Sequence, residues 1–164
     1  MKTWNIGVVG AGLIADFHAH AVNDIDNAKL IGFCDSGSGH AKELAGKYSC
    51  RAFANYQEMV DADDIDILAI ATPHHLHAPA CMAAAERGKH VICEKPMALD
   101  AKEARRMHDA CRANEVTFGL ISQNRFNPEK RWIKDRITSG QLDGLVRSDF
   151  VVDWFRGNDY YAEN

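Results

Sequence analysis

The chain has 164 residues, 46% of them hydrophobic and 26% charged, and a formal net charge of −4 at pH 7. This length and composition are typical of a globular protein with one sizeable core and room for part of a second. The negative charge disfavours nucleic acid and anionic membrane partners, and no apolar stretch approaches the ~20 residues of a membrane span.

The amino terminus and the cysteines bear on the compartment. The first predicted strand begins at Trp4, which leaves no room ahead of it for a signal peptide. The five cysteines are odd in number and contain no C-x-x-C pair, so we expect reduced and mostly buried thiols. Both observations favour a cytoplasmic protein.

Strands alternate with helices along the chain as far as residue 121. Predicted strands cover residues 4–9, 29–34, 51–53, 65–71, 89–93 and 116–121, and predicted helices cover residues 13–23, 39–49, 56–61, 77–88 and 100–114. Such alternation is typical of an α/β fold, in which right-handed crossovers join the strands of a doubly wound parallel sheet.

The first predicted strand runs into a glycine turn, where residues 10–15 read Gly-Ala-Gly-Leu-Ile-Ala. Gly10 permits the tight turn, Gly12 has no side chain to keep a phosphate away from the backbone, and the small Ala15 lets helix and strand pack closely. The start of the helix offers unpaired N–H groups and roughly half a positive charge to an anion. The pattern predicts a dinucleotide pyrophosphate site at Gly10, Ala11, Gly12, Leu13 and Ile14.

An acidic residue follows the second predicted strand. Asp35 lies 35 − 10 = 25 residues after Gly10, close to the roughly 20 expected for the residue that binds the adenosine ribose. Its carboxylate can accept hydrogen bonds from both ribose hydroxyls and repels a 2′-phosphate. The next four residues, Ser36 to Gly39, include no arginine that could bind such a phosphate, so we expect NAD rather than NADP. The alternative is a polar residue that caps the strand end.

Two later predicted strands end in polar turns, Thr72-Pro73 and Glu94-Lys95-Pro96. Ligands bind beyond the carboxyl ends of the strands in an open parallel sheet, so both turns should face the same crevice as the glycine turn. We expect Thr72 and Pro73 to form the floor beneath a cofactor. Lys95 is the candidate catalytic residue, because an ammonium at the end of a buried strand can hold a substrate hydroxyl and move its proton. The alternative is an ordinary surface Glu-Lys turn.

Five of the histidines allow other interpretations. His74, His75 and His77 lie within four positions, with no cysteine or carboxylate among them, so we expect no metal site there. His18 and His20 are two positions apart on the first predicted helix and therefore point in different directions. We expect both to be solvated or to take part in helix packing.

The pattern changes after residue 121. A helix is predicted over residues 128–139, ended by Gly140, and a partly alternating strand over residues 145–155. We predict that residues 1–122 form a dinucleotide-binding domain and that residues 123–164 are a connecting helix and the first strand of a truncated second domain. An apolar strand without neighbours exposes an unpaired edge, so we expect residues 145–155 to pair with a second copy of the chain or to be poorly ordered.

Four landmarks in this order resemble the glucose–fructose oxidoreductase / inositol dehydrogenase family, often written Gfo/Idh/MocA. They are the glycine turn at Gly10, Asp35 at a strand end, Thr72-Pro73 with His77, and Glu94-Lys95-Pro96. The run from Gln123 to Pro128 is also similar, so the resemblance covers nearly all of the chain.

The resemblance implies a Rossmann fold followed by the truncated start of an α+β substrate domain. It implies that Lys95 is catalytic, that Glu94 lies near the nicotinamide, and that His77 lies near the cofactor or caps the following helix. Lys95 also joins the expected cofactor-binding residues, as does Asn124, which is expected to leave the last strand of the sheet. In the family a second catalytic residue, usually a histidine, comes from later in the second domain, and no position here matches it.

The sequence therefore predicts the nucleotide-binding half of an NAD-dependent oxidoreductase that acts on hydroxyls of sugars, polyols or sugar nucleotides. The chain alone is expected to turn over little or no substrate. One alternative is a non-catalytic NAD-binding module. Another is a methyltransferase-like domain that binds S-adenosylmethionine, against which the Glu94-Lys95-Pro96 turn argues.

Overall fold

The computed structural model describes residues 1–149 and 151–158. It divides into two compact units, Met1–Ser122 and Gln123–Asn164. The strands are β1 (Trp4–Val9), β2 (Ala28–Cys34), β3 (Arg51–Phe53), β4 (Ile67–Ile70), β5 (His90–Cys93) and β6 (Phe118–Leu120). The helices are α1 (Leu13–Asn23), α2 (His40–Tyr48), α3 (Tyr56–Asp61), α4 (His77–Glu86), α5 (Ala101–Ala113) and α6 (Pro128–Thr138), with 3-10 turns at His74–Leu76 and Gln123–Phe126.

The first unit is built on one parallel sheet of six strands in the order β3-β2-β1-β4-β5-β6. The prediction of an α/β fold with a doubly wound parallel sheet is confirmed. The chain leaves β1 on one side to build β2 and β3 and crosses to the other side to build β4, β5 and β6. The strand order therefore reverses between β1 and β4, where such sheets bind their ligands.

Side chains from alternate strand positions enter cores on opposite faces of the sheet. Ile6 and Val8 pack with Ala15 and Ala19 of α1, in a cluster that also takes in α2. Val9 belongs to the other cluster, which includes buried residues of α3, α4 and α5. Helices thus cover both faces, which explains why the central strands read as nearly continuous apolar runs.

The second unit contains α6 but not the strand predicted over residues 145–155. Residues 145–149 and 151–155 carry neither helix nor strand, and Phe150 and residues 159–164 lie outside the described part of the chain. These described residues form no strand in the single chain, and the pairing of residues 145–155 with a second copy stays a prediction. A strand is held by hydrogen bonds to a neighbouring strand, and its alternating apolar residues alone do not supply them.

Two observations concern the predicted compartment. No helix within residues 1–149 and 151–158 is long and apolar enough to cross a membrane. All five cysteines are free thiols, and four of them are buried. Burial raises the pKa of Cys34 and Cys93 to about 12, which keeps both thiols protonated and unreactive at neutral pH.

Candidate functional site

The loops after β1, β2, β4 and β5 begin side by side at one edge of the sheet. Backbone hydrogen bonds continue past the ends of the strands: Gly10 N–H donates to Cys34 O at 2.9 Å, and Ala71 N–H donates to Val9 O at 2.7 Å. Glu94 N–H likewise donates to Ile70 O at 2.9 Å. The sheet therefore fixes where each loop starts, and it brings the three predicted turns to the same edge.

Gly10 occupies a position that only glycine can fill. Its φ is +106°, and a Cβ there would lie 2.4 Å from the carbonyl oxygen of Ala71. The backbone after β1 thus turns directly against the backbone after β4, and a side chain would push the two apart.

Gly12 is the N-cap of α1, and its surroundings are open. A Cβ built on it would meet no atom of residues 1–149 or 151–158 within 4 Å, so contacts with these residues do not require glycine here. Ala11 is partly buried, whereas Leu13 and Ile14 are exposed in the first helical turn. The amides at this helix start therefore face a space that an anion can enter.

Asp35 binds its own loop. Its Oδ2 accepts hydrogen bonds from Ser38 Oγ at 2.6 Å and from Ala41 N–H at 2.9 Å, and its Oδ1 accepts one from Gly37 N–H at 2.7 Å. The Ser38 hydroxyl and the Ala41 and Gly37 amides lower the pKa of Asp35 to about 2. A carboxylate has about four acceptor positions, so one is left on Oδ1. A ribose that used both of its hydroxyls would have to displace Ser38.

Replacing Ser38 by alanine is expected to raise the Asp35 pKa, because the Ser38 hydroxyl contributes most to its depression. A carboxyl with a lowered pKa stabilises the fold above its unfolded pKa of about 3.9 and loses that contribution as the pH falls through about 2. Ser38→Ala should lose it at a higher pH than the parent chain. An NMR titration of the Asp35 carboxyl measures the midpoint, with Ser36→Ala as the control. Equal midpoints in Ser38→Ala and the parent would contradict the role of this bond.

His77 connects the two polar turns. It is fully buried at the start of α4, with Nδ1 2.8 Å from the carbonyl oxygen of Pro96 and Nε2 3.0 Å from that of Thr72. Carbonyl oxygens only accept, so each bond needs an N–H on the ring, and a neutral imidazole can donate to one of them at a time. His77 therefore lies between the loops after β4 and β5, with one ring nitrogen within hydrogen-bond distance of a carbonyl oxygen of each.

Thr72 presents an unsatisfied polar atom at the same edge. Its Oγ1 is buried and has no hydrogen-bond partner among the described residues, which is uncommon for a buried hydroxyl. Pro73 is exposed and begins the 3-10 turn, where its carbonyl accepts from Leu76 N–H at 3.0 Å. The loop after β4 thus offers a hydroxyl that a ligand could satisfy.

Glu94 is held by a residue of α1. Its Oε1 lies 3.2 Å from His18 Nε2, and its Oε2 accepts from Lys95 N–H at 3.2 Å. The His18 and Glu94 side chains are only 12% and 16% exposed. The expectation that His18 is solvated or merely packs the helix missed this contact. The signal was present, because His18 lies at helical spacing on the same stripe as Ala15, Ala19 and Val22, all buried, where a polar ring needs a partner.

Lys95 follows Glu94 and is exposed. Its ammonium makes no hydrogen bond or salt bridge to any residue within 1–149 and 151–158. The described residues therefore do not shield this cation from water, and they leave it able to contact a ligand.

The three histidines after Thr72 do not converge. His74 and His75 are exposed, whereas His77 is buried and points at two carbonyls. Within the described ranges, no group of three His, Cys, Asp or Glu side chains is arranged to hold a metal ion.

The remaining predicted residue, Asn124, lies in the second unit. It is exposed within the 3-10 turn Gln123–Phe126. All other predicted site residues belong to the first unit.

The residues at this edge fit a dinucleotide. The open space at Gly12 leaves room for a pyrophosphate against the N–H groups of α1. Asp35 keeps one acceptor position for a ribose hydroxyl, and Thr72 Oγ1 lacks a partner. The three features lie after β1, β2 and β4, which are neighbours in the sheet.

A family model described as an oxidoreductase family with an NAD-binding Rossmann fold, Gfo/Idh/MocA, matches residues 4–121. The chain is 32% identical over 141 residues to the glucose-6-phosphate 3-dehydrogenase of Bacillus subtilis (strain 168), which covers 86% of this chain and 40% of that protein. It is 34% identical over 144 residues to inositol 2-dehydrogenase 4 of Saccharopolyspora erythraea, which covers 84% of this chain and 41% of that protein.

A solved structure of a dehydrogenase is also similar to the chain. The WlbA dehydrogenase from Bordetella pertussis, in complex with NADH and UDP-GlcNAcA, superposes with a TM-score of 0.83 and 30% identity over 87% of this chain and 44% of that one. The chain thus spans less than half the length of these three proteins. The matches confirm the resemblance drawn from the four landmarks: the chain belongs to the Gfo/Idh/MocA oxidoreductase family and contains its NAD(P)-binding Rossmann domain.

Proposed function

We propose that the chain is the nucleotide-binding half of an NAD-dependent dehydrogenase that oxidises a hydroxyl of a sugar, a polyol or a sugar nucleotide. The observation that carries this proposal is the meeting of the glycine turn, the Thr72-Pro73 turn and the Glu94-Lys95-Pro96 turn at one edge of the sheet. The named relatives support the substrate class, because glucose-6-phosphate and inositol both carry secondary alcohols on a ring. The rest of the substrate site would come from a second domain, of which residues 123–164 are the start.

The proposed cofactor contacts follow the order of the strands. Residues 10–14 bind the pyrophosphate at the start of α1, and Asp35 binds the adenosine ribose. Thr72, Pro73, His77 and Glu94 are the residues that would lie near the nicotinamide, and Asn124 is a further proposed cofactor-binding residue. The preference for NAD rests on Asp35, because a carboxylate with a pKa of about 2 is ionised at neutral pH and repels a 2′-phosphate.

Lys95 is proposed as the catalytic residue. Its exposed ammonium can donate a hydrogen bond to the substrate hydroxyl and, as the amine, accept the proton of that hydroxyl. A nicotinamide bound beside these residues would supply the acceptor for a hydride from the substrate carbon. The chain itself supplies the proton acceptor and holds both reactants at one edge of the sheet.

We also propose a cytoplasmic location and association with a second copy through residues 145–155. Free thiols support the first proposal. Exposed side chains support the second, since Val146 and Phe155 are 97% and 89% exposed in the single chain. Sedimentation of a monomer at every concentration would contradict the association.

The first experiment is a calorimetric titration of the chain with NADH, NADPH and S-adenosylmethionine. NADH is expected to bind and NADPH to bind at least about tenfold more weakly, because Asp35 repels the 2′-phosphate. Tight binding of S-adenosylmethionine without NADH would overturn the dehydrogenase. NADH binding without sugar oxidation by the protein of the complete reading frame would favour the non-catalytic module.

A further inference from the structure

The Glu94-Lys95-Pro96 turn is held on both sides of Lys95 by histidines from two different helices. On the amino side, His18 of α1 contacts the Glu94 carboxylate at 3.2 Å. On the carboxyl side, His77 of α4 contacts the Pro96 carbonyl oxygen at 2.8 Å. The Lys95 side chain has no partner among the described residues, so its place is set by the backbone that these two contacts hold.

The contact with His18 fixes the Glu94 carboxylate in a defined orientation. Once Oε1 is bound to His18, Oε2 is turned back onto the amide of Lys95 at 3.2 Å. The Glu94 amide is meanwhile tied to Ile70 O of β4. A carboxylate without the first bond could rotate into water, and the Lys95 amide would lose its acceptor.

His18 also relates Lys95 to the phosphate end of the site. It lies on the second turn of the helix whose N-terminus follows Gly12, and Ala15 between them is fully buried. A helix is stiff over so short a distance, so a shift of the glycine turn moves His18 with it. Through Glu94, the same helix that would hold the pyrophosphate sets the position of the catalytic amine.

We propose that His18 is a positioning residue that orients Glu94 and thereby holds the Lys95 backbone in register with the cofactor. The inference rests on the proposed dehydrogenase function, since it concerns the geometry of the same site. His18 does not contact the reacting atoms and takes no proton in this role. Its effect is on the rate of the chemical step and not on the affinity for the dinucleotide.

The test compares His18→Leu with His18→Gln, whose side-chain amide can donate to Glu94 as the ring does. His20→Leu is the matched control, because His20 lies on the same helix with a side chain 64% exposed and touches neither turn. In the chain, amide hydrogen exchange at Lys95 should become about tenfold faster in His18→Leu and stay unchanged in the other two variants. The Glu94 amide, bonded to Ile70, should keep its protection in all of them.

In the protein of the complete reading frame, His18→Leu should lower kcat by about tenfold to a hundredfold and leave the KM for NAD within about threefold. His18→Gln should recover most of the loss. Unchanged exchange at Lys95, or equal losses of kcat in both variants, would overturn the positioning role. If the parent protein neither binds NADH nor oxidises a sugar, the proposed function fails, whereas the exchange result still decides whether His18 holds the turn.

Discussion

Replacing Gly10 by alanine is expected to destabilise the first unit by about 3 kcal/mol and to abolish NADH binding. Two costs add at this position. A φ of +106° is strained for any residue with a side chain, and the new methyl group would lie 2.4 Å from the carbonyl oxygen of Ala71. The neighbour is backbone, so the ends of β1 and β4 would have to move apart. The cofactor is proposed to bind beyond the carboxyl ends of these two strands, so the same movement would disrupt its site.

Gly12→Ala is the matched control, because the same methyl group two residues later meets no atom of the described part of the chain within 4 Å. Its φ of −81° and ψ of −173° suit alanine. Stability should change by less than about 1 kcal/mol, since alanine stiffens the unfolded chain but is a poorer N-cap than glycine. NADH affinity should nevertheless fall by about tenfold or more, because the methyl group occupies the approach of the pyrophosphate.

Urea unfolding and NADH titration of the two variants separate folding from binding. Gly10→Ala should lower both the free energy of unfolding and the affinity for NADH, whereas Gly12→Ala should lower only the affinity. A Gly10→Ala chain as stable as the parent would contradict the close approach of the two loops. A Gly12→Ala chain with full affinity would place the pyrophosphate elsewhere.

The order of elements in the first unit could be predicted from local pattern because each element follows from its own residues. Apolar runs predicted the strands and helical spacing predicted the helices. Asp100 is the N-cap of α5, and its carboxylate accepts a hydrogen bond from Glu103 N–H at 2.8 Å. The position of the polar turns followed from the parallel sheet, which brings the ends of consecutive strands to one edge. The sequence pattern could therefore predict the course of the backbone through the sheet and the residues at which each strand ends.

The partners of the polar side chains depended on contacts that no local pattern contains. His18 and Glu94 are 76 positions apart, and their contact depends on how α1 packs against the sheet. Asp35 was expected to bind a ribose, but in the chain its carboxylate already accepts a hydrogen bond from the hydroxyl of Ser38, three residues later. Residues 145–149 and 151–155 form no strand in the single chain for a related reason, since a strand requires a neighbour as well as an alternating sequence.

Lys95→Ala is expected to lower kcat by about 10²- to 10⁴-fold in the protein of the complete reading frame. The Lys95 side chain is exposed at the sheet edge and binds no other described residue, so removing it takes away the amine proposed to accept the proton without breaking a contact of the fold. NADH affinity should stay within about threefold of the parent value, because the glycine turn and Asp35 are untouched. Lys102→Ala removes an exposed lysine from α5 and should leave kcat unchanged.

Lys95→Arg separates charge from proton transfer. An arginine keeps the positive charge and can donate hydrogen bonds to a substrate hydroxyl, but it stays protonated in water and cannot accept a proton. If Lys95 only orients the substrate, the arginine variant should keep much of the activity. If Lys95 accepts the proton of the hydroxyl, Lys95→Arg should be nearly as slow as Lys95→Ala while still binding NADH. Turnover at the parent rate in both variants would remove Lys95 from the chemistry altogether.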